Sequence, residues 1–371
     1  MRILKQRKFK RRVQKQRFAS DKTCAERIKL FLFFFKLCGL FVNELTAGRL
    51  KRCSWPIYSI GALWISSFIS FSLYTTYVYM IMKSGSIRLT GFYFKQFIGY
   101  TYLCINVITA YFYQNHFIKF FDRLDSYDYE AVRMKNKRKD SLWVPWSMTF
   151  FMIVIILLII YTIAKLTISE LSVIFTLITD VHIFIMLVCS FLQMFLLLYL
   201  ILERFKHLNK KIAPNVSWTE ERRGPNAIKI MNVKIMHSLL YDAHRIFNDI
   251  YSIPLFLMFA SLMMRIIANI FIFRLANAST AFSFIGPSIM LMLFMCTICH
   301  WTAEEANNIA IILSNRMTAL VNSGKTTVKI DVLMYFLHNR VSFDAAGYFT
   351  INLPLFQSMI ATLTTYIIIL T

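Results

Sequence analysis

Two short patterns in the sequence combine residue types that can do chemistry. The spacing of covalent haem attachment occurs in segment 296–300 (CTICH), and Glu304 adds a third possible metal ligand to Cys299 and His300. No further ligand cluster accompanies them. The segment also ends an apolar helix on the side predicted below to be cytoplasmic, which is the wrong compartment for haem attachment. We therefore expect neither haem nor a metal.

The second pattern resembles a phosphate-binding loop. Segment 324–326 (GKT) matches the end of such a loop, but the earlier glycine position holds Ala319, and the preceding segment 304–320 is typical of a helix, not a strand. Ser, His and Asp residues are present, but no nucleophile elbow or zinc-protease motif occurs. The sequence predicts no enzyme and no cofactor.

Two charged residues fall inside apolar segments. Asp180 lies about nine residues from the outer end of its segment, and Arg265 lies about nine residues from the outer end of the next one at Arg274. At about 1.5 Å per helical residue, both lie roughly 13 Å deep. One interpretation is a buried Asp180–Arg265 ion pair that orders the helices or borders a binding cavity. The other is that each side chain independently reaches the interface or a backbone carbonyl.

The last apolar segment, 342–371, carries a row of hydroxyl groups. Ser358, Thr362 and Thr365 follow one another at spacings of four and three, so a helix places them on one face. Hydroxyls gain nothing from facing lipid, so this face should meet protein or water. It either lines a pore, or its hydroxyls join helices or bond their own backbone carbonyls.

The composition is that of a membrane protein. The chain is 57% hydrophobic and 16% charged, whereas soluble domains have about 25% charged residues. The run 30–42 is too short to cross a bilayer and contains Lys36, so we expect an interfacial or re-entrant helix there. The fold class is all-α, a polytopic membrane protein with seven transmembrane helices near 57–81, 91–113, 143–164, 171–201, 250–273, 282–302 and 346–370.

Basic residues are distributed unequally between the two sides of these spans. Residues 1–56 contain 16 Lys and Arg against three acidic residues, and 36 of the 42 basic residues fall on that side. The positive-inside rule therefore predicts a cytoplasmic N-terminus and an extracellular C-terminus. Asn277 begins a sequon in an outer loop and is a candidate glycosylation site. The opposite loops hold only Lys83, Arg88, Lys95, Lys165 and Arg274.

The net charge of +23 allows two partners. The basic run from Lys5 to Arg17 could contact nucleic acid, or it could attract the anionic lipid of the inner leaflet. Beside seven predicted spans, the lipid interpretation is favoured. We expect membrane lipid, and no nucleic acid, as a partner.

The chain divides into four predicted parts. Residues 1–56 form a basic N-terminal segment, 57–302 hold six spans with cytoplasmic helical extensions at 202–249, 303–345 form a cytoplasmic anchor region, and 346–371 form the seventh span. Several helices that project into the cytoplasm favour a subunit interface. The alternative is a monomer whose helices pack only on one another.

The C-terminal residues resemble a known family signature. Phe343, 345–349 (AAGYF), 352–353 (NL) and 365–366 (TY) resemble the signature of insect gustatory receptors, within the insect chemoreceptor superfamily. In that pattern, Thr-Tyr and five mostly hydrophobic residues precede Gln-Phe. Thr371, the last residue of this sequence, occupies the fifth of those positions. The length, the predicted topology and the basic loops agree with this family along the whole chain.

The resemblance implies a ligand-gated, non-selective cation channel in the plasma membrane. Four subunits, identical or of related receptors, would surround a pore lined by the last helix of each. Thr365 and Tyr366 would be signature positions on that helix, with Ile367, Ile368 and Leu370 as a hydrophobic constriction. The stimulus would be a small-molecule tastant, with a bitter compound as the default.

The resemblance also places a ligand cavity within the first six helices, open to the outside. Ordinary helix packing is the alternative role for each candidate residue there. The aromatic and polar candidates in the outer halves of these helices are Tyr93, Gln96, Tyr100, Tyr161, Asp180, His182 and Phe284.

Two other classes of protein compete with this interpretation. A G-protein-coupled receptor also has seven helices, but its N-terminus lies outside, opposite to the observed charge bias. A secondary transporter favours internal repeats and matching broken helices, and neither is clear in this sequence.

Overall fold

The computed structural model is a helical protein, described for residues 22–53, 87–138, 141–165, 171–217, 228–273, 278–322 and 330–370. The described part agrees with the predicted all-α class. In chain order its helices are α1 Cys24–Arg27, α2 Lys29–Leu37, α3 Ile87–Phe112, α4 Gln114–Arg133, α5 Trp143–Lys165, α6 Leu171–His207, α7 Ile230–Phe273, α8 Ala278–Asn322, α9 Ile330–His338 and α10 Leu353–Leu370.

Six short strands form three two-stranded sheets between these helices. A π turn at Leu208–Ile212 and a 3₁₀ turn at Ala213–Asn215 continue α6 before the second sheet. The pairs are β1 Glu44–Thr46 with β2 Arg49–Lys51 (antiparallel), β3 Val216–Ser217 with β4 Ile228–Lys229 (parallel), and β5 Asp344–Ala345 with β6 Phe349–Thr350 (antiparallel).

Four of the described helices contain segments that are long and apolar enough to cross a membrane. They lie where the sequence predicts the third to sixth spans, while the predicted span 57–81 falls outside the described residues. Helix α3 covers most of the predicted span 91–113. The four segments are Trp143–Thr162, Ile178–Asn215, Ile230–Ile270 and Ile285–Thr318.

Helix α6 is the centre of the bundle. Its apolar residues are buried on every side, from Ile183 through Leu202, because α3, α5, α7 and α8 pack around it. Helix α5 is different, since Phe150 and Leu157 are exposed while Met152 and Ile159 are buried. An apolar helix with one exposed face is what a bilayer-facing position requires.

Helices α6, α7 and α8 all continue beyond the predicted span boundaries. Helix α7 begins at Ile230, and α8 runs as far as Asn322. Helix α4 packs along α7, and α9 packs against α7 and α8. The projecting ends therefore form a second helical layer, which we call the basal layer.

An arginine-rich ion cluster ties the N-terminal residues to this basal layer. Arg204 of α6 donates from Nε to Asp128 Oδ1 at 3.1 Å and from Nη2 to Asp128 Oδ2 at 2.7 Å. This bidentate geometry strengthens an arginine–carboxylate pair. Arg27 and Arg138 lie 3.7 and 3.6 Å from the same carboxylate. Burial opposes the charged form of Asp128, but Arg204 and Arg138 outweigh it and hold the pKa of Asp128 below its ordinary value.

Two helices are shorter than the sequence predicts. Helix α2 ends at Leu37 instead of residue 42, because Gly39 takes a φ of 72° and Leu40 N–H bonds back to Phe35 O at 3.0 Å. Helix α10 begins at Leu353 instead of residue 346, because the β5–β6 hairpin occupies the residues before it. This hairpin turns through Ala346 and Gly347 at φ values of 52° and 74°.

Candidate functional site

Three charged side chains from three helices meet in the interior, and we call them the charge cluster: Lys95 of α3, Asp180 of α6 and Arg265 of α7. Arg265 Nη2 donates to Asp180 Oδ2 at 2.8 Å and to the Asp180 carbonyl at 3.1 Å. Lys95 Nζ lies 3.0 Å from Asp180 Oδ1 and donates to Asn269 Oδ1 at 3.2 Å. All four side chains are buried. One carboxylate therefore joins α3, α6 and α7.

Contacts that involve uncharged side chains extend the charge cluster on two sides. Gln96 Nε2 donates to Thr179 Oγ1 at 3.0 Å, which joins α3 to α6 again beside Lys95 and Asp180. The guanidinium carbon of Arg265 lies 4.9 Å from the ring centre of Phe184, a cation–π distance. The region thus presents cations, an amide and an aromatic face within two or three helical turns.

Helices α3 and α6 approach closely just below the charge cluster. At Gly99 a Cβ would lie 2.7 Å from Ile183 Cγ2, so a side chain at this position requires a shift of one helix or of Ile183. Further along, Tyr102 OH donates to Ser190 Oγ at 2.7 Å, and Ser190 Oγ donates to Asn106 Oδ1 at 3.2 Å. This buried hydrogen-bonded chain holds the two helices in register.

The structure brings together several of the predicted ligand-site residues. Asp180 contacts Arg265, as one of the two sequence interpretations requires, and Gln96 lies beside them. Tyr100 is buried one turn further along α3, and His182 is half-buried on α6. These residues lie on helices that the charge cluster connects.

Tyr161 occupies a different environment from the other candidates. Its side chain is 57% exposed, on the same face of α5 as Phe150 and Leu157. The side chains of Tyr93 and Phe284 fall outside the described part of the structure, as does the whole of Asn277.

Sequence reasoning missed the third charge. It groups Lys95 with the loop residues and treats Arg265 as the one deep basic residue, whereas the structure buries Lys95 within α3. The available signal is its position inside the predicted span 91–113, because a basic residue within an apolar span is expensive unless it is paired.

The hydroxyl row of α10 lies on a face that the described part of the chain leaves exposed. Ser358 bonds the carbonyl of Leu355, Thr362 that of Ser358, and Thr365 that of Ala361, at 2.8 to 3.0 Å. All three hydroxyl residues are exposed. The opposite face, which includes Leu363, packs toward α8. Ile368 is 69% exposed, whereas the side chains of Tyr366, Ile367 and Leu370 lie outside what the structure describes.

Two asparagines hold the backbone of the linker, residues 339–352, that leads into α10. Asn307 of α8 donates to Val341 O and accepts from Val341 N, both at 2.9 Å. Asn248 of α7 donates to Asp344 Oδ2 at 2.6 Å and accepts from Asp344 N at 3.2 Å. We call these reciprocal pairs the linker clamp.

Aromatic packing reinforces the linker clamp. His244 Nε2 lies 2.9 Å from the carbonyl of Ser342, so this nitrogen carries the proton and donates. The buried ring of Phe343 lies 4.8 Å from the His244 ring and 5.8 Å from that of Phe247, between ring centres. Phe349 packs against α7 from the other strand of the hairpin, 6.1 Å from Phe259. The signature residues Phe343 and Phe349 therefore fasten the start of α10 to α7.

The structure describes only one of the two patterns that could suggest catalysis. Cys296 and Cys299 are buried in α8, and segment 324–326 falls outside the described residues. Among the described residues, no three His, Cys, Asp or Glu side chains lie close enough together to hold a metal ion.

Comparison with known proteins gives a family and a fold. The family described as 7tm Chemosensory receptor matches residues 28–371. The fold is similar to that of the insect olfactory receptor OR5 from Machilis hrabei, with 15% identity and a TM-score of 0.60 over 93% of this chain and 97% of that one. The fold is also similar to that of the same receptor in complex with eugenol. The identity is again 15%, and the TM-score is 0.63 over 92% of this chain and 97% of that one. No curated protein sequence matches this chain.

The charge cluster generates an asymmetric prediction. Asp180→Asn leaves two buried cations without their carboxylate and should destabilise the protein by about 3–5 kcal/mol, whereas Lys95→Met leaves a one-to-one Asp180–Arg265 pair and should be nearly neutral. Thermal unfolding of the purified variants, followed by size-exclusion chromatography, measures both effects. Equal losses in the two variants would show that the carboxylate does not organise the cluster.

Proposed function

This chain belongs to the 7tm chemosensory receptor family, and we propose that it is a gustatory receptor that acts as a ligand-gated, non-selective cation channel. The family match confirms the resemblance seen in the sequence at the level of the chemosensory receptor family. Our proposal adds seven spans, a cytoplasmic N-terminus, an extracellular C-terminus and a tetramer of identical or related subunits in the plasma membrane. Charge distribution supports the orientation, with 36 of 42 basic residues on one side.

The exposed hydroxyl face of α10 carries the proposal. Helix α10 packs on α8 through its apolar side and leaves Ser358, Thr362 and Thr365 uncovered. Their hydrogen bonds to the helix's own carbonyls remain compatible with a wet surface, because each hydroxyl oxygen keeps further acceptor capacity. Four copies of this face, turned inward, would form a hydrated pore.

The charge cluster supports the ligand site. It lies among α3, α6 and α7, and Gln96, Tyr100 and Asp180 of the predicted pocket belong to the same region. The solved complex of the Machilis hrabei receptor contains eugenol, a small molecule. For this chain we propose a small-molecule tastant, with a bitter compound as the default, in a cavity that borders the charge cluster.

A single helix links the two regions. Arg265 of the charge cluster and Asn248 of the linker clamp both belong to α7, 17 residues or about 26 Å apart. A ligand that favours one position of α7 would therefore move the clamped linker and the start of α10. Tighter binding to the open arrangement by a few kcal/mol is enough to shift a closed-dominated equilibrium.

The gate would be a hydrophobic constriction beyond the hydroxyl face. Ile367, Ile368 and Leu370 supply apolar side chains near the end of α10, and such a ring closes a narrow pore by excluding water. The hydroxyl residues would keep the rest of the pore wet.

Polar substitution in the constriction should open the pore without a ligand. Ile368→Ser should raise resting cation conductance several-fold in cells that display the receptor at their surface. In that background, Thr362→Cys should make the current sensitive to a positively charged thiol reagent. Leu363→Cys is the matched control, because Leu363 is buried against the bundle. If surface-delivered Ile368→Ser channels pass no additional current, the pore assignment is wrong.

Loosening the linker clamp should uncouple the ligand from the pore. Asn307→Ala removes two hydrogen bonds to the linker, worth about 1 kcal/mol each, which changes an open–closed equilibrium about 30-fold. A panel of small molecules first identifies an activating ligand. The maximal current that this ligand evokes should then fall strongly in Asn307→Ala, while the amount of receptor at the cell surface stays unchanged.

The matched control for Asn307→Ala is Asn215→Ala. Asn215 is exposed and bonds only the nearby Lys211 carbonyl among the contacts that the structure shows. An Asn307→Ala response equal to that of Asn215→Ala would count against coupling through the clamp.

A further inference from the structure

Helix α2 has one apolar face that the described bundle does not cover. Leu30, Phe33, Phe34 and Leu37 are 40–65% exposed, at spacings that place them on one side of the helix. The other side, including Phe35, is buried in the bundle. Four large apolar side chains in a nine-residue helix form a patch too concentrated for ordinary exposure to water.

Tryptophan residues show the depth at which this patch lies. The ring centre of Phe31, on the buried side of α2, lies 4.6 Å from that of Trp146. Trp146 and the 78%-exposed Trp143 belong to the first turn of α5, where the apolar segment Trp143–Thr162 begins. Tryptophans at the end of a span mark the boundary between hydrocarbon and headgroups. The uncovered face of α2 is therefore at the membrane surface.

The residues around α2 are strongly basic. Lys29 is exposed on the same side as Phe33, one turn away, and Lys36 is partly exposed on the last turn. In the hairpin that follows, Arg49 and Lys51 are exposed. Residues 22–53 contain seven basic and two acidic residues, and the preceding 21 residues contain nine basic residues and one acidic residue.

We propose that α2 is a docking site for anionic phospholipid of the cytoplasmic leaflet. Its exposed apolar side chains lie among the upper parts of the acyl chains, and the neighbouring lysines and arginines contact phosphate and carboxylate groups. A second copy of this chain is disfavoured on this face, because it would bring the same positive charge toward it. The inference rests on the proposed orientation, and its test does not depend on channel activity.

Photo-crosslinking of the full chain tests this assignment. Phe33 is replaced by p-benzoylphenylalanine, and the purified protein is reconstituted in bilayers of phosphatidylcholine with about 30% phosphatidylserine. After illumination, mass spectrometry of the lipid adducts should show phosphatidylserine clearly enriched over its share of the bilayer. The same replacement at Phe150, an exposed residue further along α5, should give adducts in the proportions of the bilayer.

Charge removal provides the second arm. Lys29→Gln combined with Lys36→Gln should bring the adducts at Phe33 back toward the proportions of the bilayer, because a basic residue near a charged surface attracts anionic lipid. Lys229→Gln removes an exposed cation from β4 and should leave the enrichment at Phe33 unchanged. Adducts to protein instead of lipid would assign the face to a neighbouring subunit. Equal adduct ratios at Phe33 and Phe150 would show that no anionic lipid is selected, and either result overturns the proposal.

Discussion

In hydrocarbon, a polar group without a partner costs several kcal/mol, and this constraint accounts for how the chain is held together. Asp180 is tolerated in the interior because Lys95 and Arg265 both contact its carboxylate. The hydroxyls of α10 satisfy themselves on the preceding turn of their own helix. Each solution has a structural consequence. The first joins α3, α6 and α7, and the second leaves the hydroxyl face of α10 exposed.

The basal layer follows a different physical logic. There the Arg204–Asp128 pair and the linker clamp join segments far apart in sequence. The clamp bonds the linker backbone to two long helices, so movement of either helix is passed to the residues before α10. In our proposal α7 couples ligand and pore, because the clamp contacts it near its middle at Asn248 and the charge cluster contacts it toward its C-terminal end at Arg265.

The sequence could predict much of the described architecture because hydrophobic length is a local signal. The positions of α5 to α8 followed from such counts, and the counts also allowed the contact between Asp180 and Arg265. Features that depend on tertiary contacts were less accessible. Lys95 looked like a loop residue, because only the folded bundle brings Asp180 to it. The early part of the last apolar segment looked helical, because the clamp and the positive φ angles at Ala346 and Gly347 leave no hydrophobic signature.

The central claim is that the hydroxyl face of α10 lines a cation pathway, and ion selectivity tests it most directly. The reversal potential of the receptor current should shift toward reduced cation permeability when Thr362 is replaced by Lys, because a fixed positive charge in a narrow pore repels permeant cations. Replacement of Thr362 by Val should shift it far less. An unchanged reversal potential for Thr362→Lys, with current and surface delivery intact, would contradict the claim.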